Sequence, residues 1–350
     1  MKGSAVLCFL WEIQEECGGV IPFERFMQEA LHHPVHGYYG SRIRDVGAKG
    51  DFSTSATLDP LLGPAIANWI KGRAQEMGWR RIPVIEVGAG NGSLAHSVLR
   101  HLGWRMFFRT DYRIVESSTV LREHQQKRLR WHGVRWEDSL QEALAATGGR
   151  ALIFSNELAD AFPCRLFEKQ TQGWQELGVT IHSDGSLTEN AFGSVQSDPW
   201  FGQFDSLAMG QRVERLDSYQ EWLSEWSSFW KEGSFLTIDY GGLAGKLYAG
   251  RPGGTLRAYW QHRRFTGREV YARFGRQDLT ADVNFTDLVT WGTSLDWETA
   301  PLLTQREFLE RWLTPASRLK KNSPFLRKGG AGDHFHVLEQ HHSHSSLPVE

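Results

Sequence analysis

The densest chemical signal in the chain is Glu86-Val87-Gly88-Ala89-Gly90-Asn91-Gly92. Glycines in such a run let the backbone turn sharply and approach a ligand closely. The run follows a short apolar segment, Ile82 to Val87, and precedes a helical stripe of Leu94, Val98, Leu99 and Leu102. In an open α/β sheet a ligand on such a loop lies over the carboxyl ends of the strands, where strand order reverses. Two cofactors compete for that geometry. A dinucleotide site wants Gly-x-Gly-x-x-Gly, with helix N–H groups facing a pyrophosphate. Here Ser93 takes the third glycine's place and Gly92 comes one residue early. Glu86 stands two positions before Gly88, where a carboxylate is unhelpful beside phosphate but suits a cationic amine and a sulfonium. The pattern therefore favours S-adenosyl-L-methionine over NAD. A glycine-rich turn with no ligand is the plain alternative.

Glu116 ends a second apolar segment, Tyr112 to Val115. A carboxylate there can accept both ribose hydroxyls of either cofactor. Glu137 and Asp138 follow a third short segment with Trp136, where adenine would reach and the indole could stack. A solvated acidic turn is the competing reading.

A fourth apolar segment, Ala151 to Phe154, ends in Ser155-Asn156-Glu157-Leu158-Ala159-Asp160-Ala161-Phe162-Pro163. In this fold that loop faces the methyl group. Asn156 offers an amide, Glu157 and Asp160 carboxylates. A guanidinium stays charged at working pH and pairs with carboxylates in a planar, bidentate way. Two acids in the acceptor pocket are thus what an arginine substrate needs. Methyl transfer is an in-line displacement, and positioning can supply roughly 7–11 kcal/mol of the barrier. A helix N-terminus dressed with acids for dipole reasons would look similar.

The elements that position these residues alternate strand and helix from residue 82 on, the signature of a parallel sheet with helices on both faces. The spacing predicts strands at 82–87, 112–115, 134–136, 151–154 and 235–238, and a last edge strand at 334–338. Ser117 or Ser118 can cap a helix from Thr119 to Arg130. Residues 165–190 read as an inserted hairpin or meander about Gly173. Tyr219 to Trp230 reads as an amphipathic helix with Trp222, Leu223, Trp226, Phe229 and Trp230 facing the core. The tail from Gln340, with His341, His342 and His344, reads as disordered rather than metal-binding.

The 350 residues carry a net charge of −2, which argues against a broad nucleic-acid face. Cys8, Cys17 and Cys164 form no metal or disulfide pattern. No apolar run is long enough for a membrane span. The start of the chain looks like neither a secretory nor a transit peptide, so a cytoplasmic protein without metal is expected.

Together these segments resemble the MidA-type methyltransferases, whose mitochondrial members are arginine methyltransferases that assist assembly of respiratory complex I. The resemblance runs over roughly residues 20–290. It rests on His33-Pro34 through Gly37-Tyr38-Tyr39, on Gly50-Asp51-Phe52-Ser53-Thr54, and on the Gly88 loop with Val115-Glu116-Ser117. It continues through the Asn156 loop and Ile238-Asp239-Tyr240-Gly241 to Gly254-Thr255-Leu256-Arg257-Ala258-Tyr259, His262 and Asp278 to Phe285. By that resemblance Gly50, Asp51 and Thr54 line the cofactor pocket, and Arg257, Tyr259 and His262 the acceptor side. Two departures stand out: Ala56-Thr57 replace a usual Pro-Glu, and Asp282 stands where His is common.

The expected fold is a doubly wound, Rossmann-like α/β sheet of the class I methyltransferase type. A helical cap (1–75) and a β-rich insertion (166–231) accompany a core of 76–165 and 232–350. The expected site comprises Glu86, Gly88, Gly90, Gly92, Glu116, Glu137 and Asp138 for the cofactor, and Asn156, Glu157, Asp160 and His262 for catalysis. The expected activity is methylation of a protein arginine. A small-molecule methyltransferase and a non-catalytic assembly factor keeping the fold are the alternatives.

Overall fold

Strand β1 (Ile82–Val87) is buried along its whole length, as an apolar run in a parallel sheet must be. It belongs to a computed structural model that describes residues 2–42, 59–195, 197–315 and 323–343. The other main strands of its sheet are β2 (Thr110–Val115), β3 (Arg135–Glu137), β4 (Arg150–Asn156), β5 (Glu232–Gly242) and β6 (Phe335–Ser343). β1 pairs in parallel with β2 and β4, β2 with β3, and β4 with β5. β6 lies antiparallel on β5, giving the order β6-β5-β4-β1-β2-β3. The order reverses between β1 and β4, so their carboxyl ends flank a topological switch point. The doubly wound expectation holds.

Helices α1 (Leu62–Glu76), α2 (Ser93–Leu102), α3 (Thr119–Leu129) and α4 (Leu140–Ala146) flank these strands in the chain. Trp69 and Ile70 of α1, Val98 and Leu99 of α2, and Ile82 and Val84 of β1 share one buried core. Ser118, not Ser117, caps α3: its hydroxyl accepts from the Leu121 N–H at 3.4 Å.

The chain divides into two compact units. The sheet unit comprises Arg44–Leu158, Glu221–Gly242 and Phe285–Glu350; the other comprises Met1–Ile43, Ala159–Gln220 and Leu243–Asn284. These boundaries differ from the sequence-based division at 75, 165 and 231. Helix α1, expected in a cap, packs into the sheet unit's core. In the second unit, Gln14 exchanges hydrogen bonds with the Ile181 backbone, and Ile21–Pro22 pairs antiparallel with Gly173–Ile181. Those pairings join the N-terminal segment to the insertion. The buried Glu214 carboxylate accepts from the Thr255 and Leu256 N–H groups at 2.7 and 3.0 Å and from the Thr255 hydroxyl at 2.9 Å. It thereby ties 243–284 to the insertion as well.

The expected meander is present, with strands Arg165–Gln170, Gly173–Ile181 and Leu187–Val195 in antiparallel succession. A smaller sheet holds Arg263–Phe265, Arg257–Trp260 and Asp278–Thr280.

Two elements depart from expectation. β6 is not an edge: Glu298–Thr299 pairs on its outer side, and it runs on through His341 and His342. The tail reading fails there because Gln340 is buried and its amide donates to the Leu288 carbonyl at 3.2 Å. His344 lies outside the described residues. The Trp-rich helix stops at Ser227, which leaves Phe229 44% exposed. Trp226 and Trp230 are buried as expected, against Trp297.

Candidate active site

At the tip of β1 the backbone turns through Gly88, Gly90 and Gly92, all with positive φ. That left-handed backbone is what favours glycine at these positions. A Cβ on Gly88 would sit 2.8 Å from the end of the Leu158 side chain, and Gly92 packs beside Gln125 at van der Waals distance. The loop is thereby drawn against the segment after β4 on one side and against α3 on the other. Asn91 Oδ1 accepts from the Ser93 N–H at 3.1 Å and from Arg128 at 2.9 Å, which steadies the start of α2.

Glu86 is 2% exposed, and the Tyr112 hydroxyl donates to its Oε2 at 2.5 Å. Burial pushes the Glu86 carboxyl up to about 8; the Tyr112 bond works against that rise, and the Glu116 charge adds to it.

Glu116, at the tip of β2, is also buried. Its Oε1 accepts from the Ser118 N–H at 2.9 Å and its Oε2 from Gln125 Nε2 at 2.9 Å. Burial raises its pKa as well, opposed by the Ser118 and Gln125 bonds and by Arg122. The Ser117 N–H also bonds to this carboxylate, and since a carboxylate has about four acceptor positions, one remains for a hydroxyl of a bound sugar. The same Gln125 nitrogen donates to the Gly90 carbonyl at 2.8 Å, which places the Glu116 carboxylate beside the glycine loop.

The tip of β3 is arranged differently from expectation. Glu137 is committed to Arg113 in a short ion pair, within a network that includes Asp111 and Arg135. Asp138 is exposed and held by Arg122 at 2.6 Å. Trp136 donates its indole N–H to Gln125 Oε1 at 2.9 Å, which fixes the ring.

At the tip of β4, Asn156 Nδ2 donates to Glu157 Oε1 at 3.1 Å. Glu157 has φ 53°, a left-handed backbone that a glutamate rarely adopts. Hydrogen bonds on both sides hold it: its own N–H donates to the Ile238 carbonyl at 2.8 Å, and the next N–H, of Leu158, to Asp239 Oδ2 at 3.2 Å. Asp239 is fully buried and its other oxygen accepts from the Tyr240 N–H at 2.9 Å. Strain held in this way concentrates at functional sites.

The second unit carries the other expected residues. Asp160 is buried in the turn Ala159–Ala161, and its carbonyl accepts from the Ala281 N–H at 3.1 Å. Arg257 is buried and paired with Asp282, and its Nε donates to the Tyr259 hydroxyl at 3.1 Å. Burial disfavours the guanidinium charge, but Asp282, Tyr259 and Asp160 outweigh it and raise the pKa. The Tyr39 hydroxyl donates to Asp278 at 2.8 Å. His262 is not gathered into this buried group. It stands exposed at a hairpin tip, with Gln261 and itself at φ 50° and 60°. Two positive φ values are what a two-residue hairpin turn requires.

Gly50, Asp51 and Thr54, and the divergent Ala56 and Thr57, lie outside the described residues. Among the described residues no group of His, Cys, Asp and Glu could hold a metal, and no helix is long and apolar enough to cross a membrane.

Residues 65–301 match the family described as "Putative S-adenosyl-L-methionine-dependent methyltransferase". The chain belongs to this family. A structure from Burkholderia thailandensis, solved bound to S-adenosyl-homocysteine, superposes with a TM-score of 0.83 at 26% identity, covering 97% of this chain and 92% of that one. The Drosophila melanogaster protein arginine methyltransferase NDUFAF7 homolog, mitochondrial, is 28% identical over 308 residues, 76% of this chain and 65% of its own length. Homo sapiens NDUFAF7 is 26% identical over 297 residues, 77% and 65% of the two chains. The matched region thus spans less than two thirds of these relatives. Their names place them in mitochondria, which overturns the cytoplasmic placement expected from the sequence.

The cofactor of this methyltransferase family is S-adenosyl-L-methionine, and the residues present fit it. Two buried carboxylates, Glu86 and Glu116, stand at adjoining strand tips around the glycine loop. They offer negative charge to a cationic amino-acid end and acceptors to sugar hydroxyls.

A pH dependence follows from Glu86. Below about pH 8 its carboxyl holds a proton that a nearby cation has to displace. Affinity for S-adenosyl-L-methionine is expected to rise from acidic pH to about pH 8 and to flatten above it. Calorimetric titration across that range checks this. A slope that persists unchanged in Glu86→Gln would assign it to another group. The stability effect has the opposite sign. The folded state holds the proton that the unfolded chain has already lost, so stability falls as pH rises towards 8 and then levels.

Proposed function

We propose that the chain transfers a methyl group from S-adenosyl-L-methionine to a guanidinium nitrogen of an arginine in a protein substrate. The observation that carries this reading is Glu157, held in a left-handed backbone at the tip of β4 beside the switch point, with Asn156 bonded to its carboxylate. A carboxylate fixed there pairs with a guanidinium and orients a nitrogen lone pair towards the methyl carbon. As the nitrogen–carbon bond forms, the carbon–sulfur bond breaks, and the excess proton leaves with solvent. Within the second unit Asp160 offers a further carboxylate that acts on the buried Arg257, while His262 stands apart from them at its hairpin tip. The arginine-methyltransferase names of relatives at 25–28% identity point the same way.

Incubating purified protein with a proteome lysate and methyl-labelled cofactor tests this. Label on protein arginine is expected by mass spectrometry. Label confined to small metabolites would favour the small-molecule alternative. Cofactor binding without any transfer would favour an assembly factor that keeps the fold.

A further inference from the structure

Gln125 lies in the middle of α3, fully buried, among residues that sequence patterning assigns only to packing. Its amide joins three separate strand tips. Nε2 donates to the Gly90 carbonyl at 2.8 Å and to Glu116 Oε2 at 2.9 Å, while Oε1 accepts from Trp136 Nε1 at 2.9 Å. The amide's orientation is set by its neighbours. An indole N–H can only donate and a backbone carbonyl can only accept, so oxygen must face Trp136 and nitrogen Gly90. With the nitrogen so placed, its second hydrogen meets Glu116. Gly92, in a left-handed backbone that favours glycine, packs beside Gln125 at van der Waals distance.

We infer that Gln125 is a positioning residue for the cofactor: it holds Glu116 against the glycine loop with its remaining acceptor position open to the ribose, and locks the Trp136 ring beside it. The inference rests on Glu116 holding the cofactor's sugar. Gln125 itself need not touch the ligand, because its amide is already used by the protein.

The experiment is calorimetric binding of S-adenosylhomocysteine and of its 2′-deoxy analogue. Wild-type protein should lose about tenfold or more in affinity when the hydroxyl is missing, as for a hydrogen bond to a charged group. In Gln125→Leu, S-adenosylhomocysteine should bind more weakly and the two ligands should bind alike, because Glu116 is no longer fixed. Wild-type discrimination retained in full by Gln125→Leu overturns the inference alone. Absence of discrimination in wild type overturns the sugar assignment and the inference with it.

Gln125→Glu keeps the shape and guards against a leucine variant that fails to fold. Ionised, it faces Glu116 with like charge. Protonated, it can donate again. Arg122, whose guanidinium donates to the Glu116 carbonyl at 3.1 Å, keeps its charge throughout. Glu86 favours tighter binding as pH rises. The ratio of Gln125→Glu affinity to wild-type affinity, in which the Glu86 effect cancels, should therefore fall from acidic to alkaline pH. A profile parallel to wild type would overturn the inference.

Discussion

Replacing Glu157 by Gln is expected to lower the turnover number by about 10²–10³, the size of effect seen when one preorganised electrostatic group is removed from an active site. Affinity for S-adenosyl-L-methionine should stay as it is. The substitution removes charge and little else. Glutamine keeps an oxygen for the Asn156 amide to reach. The unusual backbone is tolerated elsewhere by the same residue type, since Gln261 sits at φ 50°. The contacts that impose the conformation are main-chain bonds to Ile238 and to the buried Asp239, which the substitution leaves untouched. Loss of rate with binding retained would mean that the carboxylate acts on the acceptor. A variant as fast as wild type would remove Glu157 from the chemistry and strengthen the assembly-factor alternative.

The sheet was legible because each strand that matters is a short apolar run ended by a residue that cannot continue it. Ile82–Val87 stops at Gly88, and Tyr112–Val115 stops at Glu116 before a serine cap. Type and order were recoverable because burial on both faces favours mostly apolar segments, interrupted here by Glu86 and Arg113. The boundary between the units was less legible. It depends on pairings such as Gln14 with Ile181 and Glu214 with Thr255, which join residues 167 and 41 positions apart and leave no local pattern.

The site divides in the same way. Glu86, Glu116 and Glu157 could be picked out because a charge beside an apolar run or a glycine turn is locally anomalous. Tyr112, Gln125 and Asp239 carry no such mark. A tyrosine in a strand and a glutamine in a helix look ordinary until their partners, 26 and 35 residues earlier for the first two, are brought alongside. The signal that could have found Gln125 is a polar residue on the buried side of α3, alongside Leu121 and Leu129. Glu137 misled for a related reason. It was expected near the adenine, but Arg113 of the neighbouring strand claims its carboxylate.

Asp282 is a residue whose type departs from the resembled family, and its pairing predicts a large stability effect. Arg257 is 4% exposed, and burying a guanidinium is tolerable only with a partner. Asp282 is that partner in this chain, and it also holds the more exposed Arg251 at 2.5 Å. Asp282→Asn removes the countercharge and leaves the arginine buried. The expected cost is about 3–5 kcal/mol, the range for breaking one side of a buried pair, which corresponds to a fall in melting temperature on the order of 10 °C. Arg251→Ala alone should change less, because Arg251 is half exposed and its charge stays hydrated. The double change Arg257→Met with Asp282→Leu should recover part of the loss, since it removes both members of the buried pair. Thermal melts of the four proteins decide the matter. If Asp282→Asn melts with wild type, Arg257 draws its compensation from Asp160, the other carboxylate acting on it. The aspartate would then be free of any structural duty towards Arg257.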